Sequence, residues 1–321
     1  MEQFMGPQIQ AGLDSLLRLA IWLTFIVVIF VPIERLFAAH QQKLLRKQFF
    51  TDLGYYFING CFTAALLSVP ISILALFVRN AIPESFLAAT AALPLWARGI
   101  SALVVGEIGY YWGHRLSHEI PFLWRFHAIH HSAEQIDFLV NTRAHPLDMV
   151  FGRFCGLVPI YVLGLGGPIG AEGSMIPILV NLMGTMWGYF IHGNLNWRFG
   201  PLEWLISTPA FHHWHHTKTP INRNYASTLP WLDLIFGTYH LPRNEFPSAY
   251  GIKAKMPESL LDQLAYPLDP EPPVRTPVPA IETSPAADSL PTLDESPQSP
   301  SVSSPVGETV AEESVEATSP N

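Results

Sequence analysis

Long apolar runs alternate with short polar breaks along the first 190 residues. Leu16–Ile33 is the first run, interrupted only by Arg18 and Thr24. Leu53–Val78 and Leu95–Trp112 follow, and Met149–Gly167 and Ile176–Ile191 are joined by the turn-rich segment GGPIGAEGS. A helix rises about 1.5 Å per residue, so about 20 apolar residues cross a hydrocarbon core of about 30 Å. The pattern predicts an all-α integral membrane protein with about four transmembrane helices. The last two form a hairpin over 149–191 that crosses fully or is partly re-entrant. Pro70 predicts a kink, and Pro83 and Pro94 bound a short connection. The lead 1–15 is polar, and no cleavable signal segment is evident.

Charge supplies an orientation. The link 34–52 carries Arg35, Lys43, Arg46 and Lys47, which marks it as cytoplasmic by the positive-inside rule. Only 14% of residues are charged, against about 25% in a soluble domain. The net charge of −8 comes from the tail 268–321, with ten acidic residues against Arg275 alone. Eleven prolines and many Ser, Thr and Glu predict that this tail is disordered. The remainder is near neutral, and no basic patch points to nucleic acid. Three parts follow: membrane helices over 1–113, a cytoplasmic helical cap with its membrane hairpin over 114–267, and the tail. Cys61 and Cys155 sit in apolar runs outside any C-x-x-C and read as free thiols.

Histidine changes the picture most. Of 13 histidines, ten lie in three clusters or at His192. The spacings are H-x-x-x-H (His114, His118), H-x-x-H-H (His127, His130, His131) and HHWHH (residues 212–216). On helices these patterns gather imidazoles on one face, within about 100° of arc. His212, His215 and His216 repeat the 0, 3, 4 pattern, which leaves His213 to the side. Pro121 marks a break between two ligand helices. Neutral imidazole is a ligand for Fe, Zn, Cu and Ni. Eight imidazoles exceed one ion's coordination number and suit two, with His192 as a ninth ligand. Candidates to orient the outer ring nitrogens are Asp148, Asp233, Glu119 and Glu203. Glu107, inside the third apolar run, and His145, before Pro146, are weaker candidates of the same kind. His40 and His240 fall outside the pattern.

The segments YYWGHRLSH, LWRFHAIHHS, RAHPLD, YFIHGN, HHWHH and NYASTLPWLDLIFGTYHLP resemble those of the fatty acid hydroxylase / sterol desaturase superfamily of membrane non-haem diiron enzymes, over about residues 105–245. The resemblance implies two Fe ions held by His114, His118, His127, His130, His131, His192, His212, His215 and His216. Zn is a possible substitute in isolated protein. It implies dioxygen as co-substrate and a lipid hydroxylated or desaturated at an unactivated C–H bond. Some family members carry a further histidine one turn before His192, where this chain has Gly188. No haem-binding HPGG segment, flavin motif or iron–sulfur cysteines accompany the histidines, so a separate electron-donor protein is expected, with the loop 34–52 as a docking candidate. Trp112, Phe122, Trp124, Phe126, Trp187, Phe190 and Trp214 are candidates to line an apolar channel.

Three other readings compete. A carotenoid hydroxylase differs only in substrate. A membrane zinc hydrolase would need H-E-x-x-H, but His118–Glu119 continues as Ile-Pro-Phe. A metal transporter would place its ligands at mid-membrane, whereas these histidines flank the apolar runs.

Overall fold

The apolar runs become helices longer than the runs themselves, because helix continues into the polar flanks. A computed structural model describes residues 6–166, 175–243 and 245–269. The joining segment 167–174 and the tail 270–321 lie outside the described residues. Helix α1 spans Pro7–Leu36, α2 Phe49–Ala81, α3 Glu84–Ala91 and α4 Leu95–Glu119. Then come α5 Pro121–His131, α6 Pro146–Val162, α7 Met175–His192, α8 Pro209–His215, α9 Trp231–Ile235 and α10 Leu260–Ala265. The described residues contain no strand beyond one isolated bridge, Thr217–Tyr250.

Helices α1, α2 and α7 are long and apolar enough to cross a membrane, and α3 with α4 makes a fourth span if the pair, bent by 114°, is counted as one. Sequence patterning expects a plain connection between Pro83 and Pro94, and eight of those residues are the helix α3. Helix α6 has 17 residues, with Arg153 and Pro159 inside it. It packs chiefly on α4 and α2 rather than back on α7, so the expected hairpin is not a closed pair of neighbours.

Glycine permits the α4–α6 contact. A Cβ at Gly109 would run into the Cys155 carbonyl, and one at Gly113 would lie 2.7 Å from the Cys155 Cβ. Gly152 and Gly156 serve the opposite face, against Tyr110 and the Gly106 carbonyl. Small residues at helical spacing let two backbones approach where side chains would hold them apart. Cys155 is a free, half-buried thiol in this seam.

Helix α4 continues through residue 113, so His114 and His118 occupy its last two turns rather than a separate helix. Ile120 ends it, and Pro121 starts α5 at a position where its missing N–H costs nothing. A buried ion network ties α2 to the segment after α5. Arg46 pairs with Asp52 at 2.7 Å and with Asp137 at 2.6 Å, and Arg143 pairs with Asp52 at 2.6 Å. Arg46 is therefore a structural cation, not part of the exposed basic surface that its loop's composition implies. Asn59 of α2 donates to the carbonyls of Thr142 and Ala144, at 3.1 and 2.9 Å. These contacts hold residues 137–145 beside the histidines. Glu34, at the end of α1, accepts the N–H groups of Phe138 and Asn194 and so joins the segments that follow α5 and α7.

Candidate metal centre

The ends of α4, α5, α7 and α8 bring nine imidazoles together as two groups. The ligand atoms of His114, His118, His127, His131 and His215 all lie within 4.8 Å of one another, and those of His130, His192, His212 and His216 form a second such set. All nine residues are buried. The grouping differs from a simple convergence of each H-x-x-H-H triplet. On α5 the i, i+4 pair His127 and His131 joins the first group, while His130 turns to the second. In and just after α8, His212 and His216 join the second group and His215 the first. An arc of about 100° is wide enough for two centres to share. Rings from the two groups touch: His131 stacks on His216 with centroids 4.4 Å apart.

Tautomers follow from the outer contacts. A carbonyl oxygen only accepts, so a ring nitrogen bonded to one carries the proton. His114 Nδ1 donates to the Tyr225 carbonyl at 2.7 Å, and His215 Nδ1 to that of Arg223 at 2.7 Å. His130 Nδ1 donates to the Arg143 carbonyl at 2.9 Å, and His192 Nδ1 to that of Gly188 at 2.7 Å. His127 Nδ1 meets the Asp148 carboxylate at 2.9 Å. In the neutral rings each Nε2 is then a bare lone pair pointing inward. His130 Nε2 and His192 Nε2 face each other at 3.2 Å with no proton available between them. The Nε2 atoms of His114, His118, His127, His131 and His215 are buried without any hydrogen-bond partner. Lone pairs so crowded and unsatisfied fit cations between them, and imidazole is a donor that iron accepts. Burial also disfavours protonation. It holds His130, His131, His212 and His216 well below the usual imidazole range and His215 at about 3.

The remaining candidates separate by contact. His213 has both nitrogens engaged, with the Tyr250 hydroxyl at 2.9 Å and the Gly193 carbonyl at 3.0 Å. The His145 side chain caps α6, its Nδ1 accepting from Leu147 N at 3.1 Å. Among the proposed orienting carboxylates, only Asp148 reaches a ring. Asp233 acts one step further out, accepting the N–H groups of Tyr225 and Ala226. Glu119 pairs with Arg115, and Glu203 with Arg198. Glu107 accepts from Thr228 N at 2.6 Å, tying α4 to the loop after α8. A Cβ at Gly188 would collide with the Asn141 amide, so a histidine at the position of the extra family ligand would require that side chain to move.

Sequence reasoning missed the groups that orient four of the nine rings, because they are backbone carbonyls. Two of them flank Asn224. This residue has φ 58° and is fully buried, and its amide donates to the carbonyls of Phe211 and His240 and accepts from His240 N. NYASTLPW was quoted above as a matching segment, and its Asn-Tyr pair is the visible trace of this loop.

A cavity of about 480 Å³ reaches His114, His127, His130, His192 and His212 from between α1, α2, α4, α6 and α7. Of the seven aromatic residues expected to line a channel, only Trp187 does so. Trp124 packs on His118 and His131, Phe126 on His145, and Trp214 on His240. Trp112 and Phe122 are exposed. Tyr56, Tyr110 and Tyr189 line the cavity instead, with Leu19, Ile26, Leu103 and Leu157.

Residues 99–238 match the family model for fatty acid hydroxylases. Over that stretch, less than half of its 321 residues, the chain is similar to the fatty acid hydroxylase family. It is 38% identical over 181 residues to the ornithine lipid hydroxylase of Rhizobium tropici, covering 54% of this chain and 51% of that one. It is 34% identical over 148 residues to the alkylglycerol monooxygenase of Xenopus tropicalis, covering 43% and 29%. A very-long-chain aldehyde decarbonylase of Oryza sativa subsp. indica is 32% identical over 157 residues, covering 46% and 25%. The chain thus spans about half the length of the first of these relatives and less of the others. No solved structure matches it. Family and apolar helices together make the chain an integral membrane protein.

Proposed function

We propose that this chain is a member of the fatty acid hydroxylase / sterol desaturase superfamily and a membrane-bound lipid hydroxylase, in which His114, His118, His127, His131 and His215 hold one iron and His130, His192, His212 and His216 a second. The observation that carries this reading is two inward-facing sets of Nε2 atoms at the wall of an apolar cavity, the five of the first group buried without a hydrogen-bond partner and the four of the second crowded together with contacts of 3.0 to 3.2 Å. Bound irons supply dioxygen activation and the oxidising power to break an unactivated C–H bond. The net reaction is C–H plus O2, two electrons and two protons, giving C–OH and water. The chain's own residues do the rest. Asp148 and the carbonyls of Arg143, Gly188, Arg223 and Tyr225 fix the ring orientations. The apolar cavity wall, of a size ordinary for a ligand site, holds the lipid chain and excludes water. Relatives named hydroxylase and monooxygenase favour an alcohol over a double bond as product.

The catalytic part is residues 114–267, with the histidines on the cytoplasmic side, where a separate protein delivers electrons. The exposed cation Lys47 belongs to the surface that would meet this donor. Lipid profiles of cells with this protein, without it, and with His130→Ala test the reading. An oxidised lipid found only with the intact protein is expected. Full product from His130→Ala would refute the role given to the second group.

A further inference from the structure

One cation inside the cavity takes no part in the arrangement described so far. Along α6, Met149, Gly152, Arg153, Gly156, Leu157 and Ile160 face the cavity at spacings of three and four. Arg153 is the sole cation among the cavity's lining residues. A guanidinium keeps its charge at any physiological pH, and a charge at membrane depth is costly without a partner. Among the described residues no carboxylate pairs with it. The two acidic residues of the cavity wall are committed elsewhere, Glu107 to the Thr228 N–H and Asp148 to His127. Tyr110 and Tyr189, which line the same cavity, carry neutral phenols and supply no counter-charge.

Its position relative to the histidines is also defined. Tyr110 lies against His114, ring centroids 5.6 Å apart. Arg153 stands five residues, about 7.5 Å of helix rise, beyond Asp148. Long helical side chains lean toward the helix N-terminus, here the end at which Asp148 meets His127. Gly106, Gly152 and Gly156 put no side chain into the space around it.

We infer that Arg153 receives an anionic group of the lipid, a carboxylate or a phosphate, within the cavity and beside the five-histidine group. This rests on the lipid-hydroxylase reading only for the identity of the cavity's guest. Planar guanidinium donors match both oxyanions with paired hydrogen bonds, and apolar surroundings strengthen them. The substrate class is thereby narrowed to acidic lipids, as against neutral sterols, alcohols or hydrocarbons.

The test is equilibrium binding, with no turnover, by isothermal titration of the detergent-purified full-length protein. The probes are palmitate, hexadecyl phosphate and the neutral hexadecanol. Wild type is expected to bind at least one of the two anions about tenfold or more tightly than hexadecanol. A preference for palmitate names a carboxylate, and one for hexadecyl phosphate names a phosphate. Arg153→Met is expected to bind all three alike, with hexadecanol affinity and metal content unchanged, and Arg153→Lys to keep a reduced preference. Equal affinities in wild type overturn the inference without any variant, and so does an undiminished anion preference in Arg153→Met. Because nothing is oxidised in this assay, its failure leaves the hydroxylase reading standing. Failure of the His130→Ala profile likewise leaves the binding preference to be measured.

Discussion

Replacing Asn224 tests whether the loop behind the histidines, and not the ligands alone, builds the site. Its side chain makes three buried hydrogen bonds, at 2.8, 2.7 and 2.7 Å. At about 1 kcal/mol each, Asn224→Ala forfeits about 3 kcal/mol. Alanine at φ 58° adds about 1 to 2 kcal/mol of left-handed strain, for a total of about 4 to 5. Asn224→Gly loses the same bonds without the strain, so about 3 kcal/mol is expected. The carbonyls on either side, of Arg223 and Tyr225, orient His215 and His114, so metal retention should fall with stability. The assay is denaturant unfolding in micelles beside iron per protein after dialysis against chelator. Asn224→Ala within about 1 kcal/mol of wild type, with full iron content, would refute both the bond accounting and the role of the loop.

Three further outcomes are expected. Asp148→Asn should lower metal affinity about 10- to 100-fold by weakening the hold on His127, read by chelator competition. His213→Phe should keep its metal yet lose about 2 kcal/mol of stability with its two hydrogen bonds, which separates it from His212, His215 and His216 in HHWHH. Stability of the metal-free protein should fall as pH drops from about 6.5 toward 3 and be retained above that window. The unfolded chain takes up protons near 6.5, while folded His215 refuses them until about 3. A metal-free melting temperature that is flat across this range would contradict the burial of neutral imidazoles.

While His192 stood out only as the histidine that closes an apolar run, helical spacing made the other eight of the nine ligand candidates legible, since i, i+3 and i+4 positions share a face whatever the rest of the chain does. It could not say how the faces divide, because that depends on where α4, α7 and α8 stand around α5. The split of each triplet between two groups is a property of packing. The ring-orienting carbonyls were invisible for a similar reason: every residue has one, and only the fold selects Arg143 and Gly188. Apolar runs located the long helices but stopped short of their ends, and the run behind α6, expected either to cross fully or to be partly re-entrant, makes 17 residues of helix. Net charge misled locally, since Arg46 counts as a loop cation in composition and is buried against Asp52 and Asp137 in the fold. The aromatic residues near the histidines were poor guides to the cavity, most of them supporting histidine rings or facing outward.

The sharing of α5 and α8 between both histidine groups has a thermodynamic consequence. An ion bound by His127, His131 and His215 immobilises the same two helices that carry His130, His212 and His216. The second ion then meets ligands whose ordering is already complete, and its affinity rises by the same factor as that of the first in the reverse order. With an ion in each group, as proposed, metal uptake by such an interleaved pair is expected to be cooperative. Titration should show empty and doubly filled protein with few singly filled molecules between them, and stripping one ion should loosen the grip on the other.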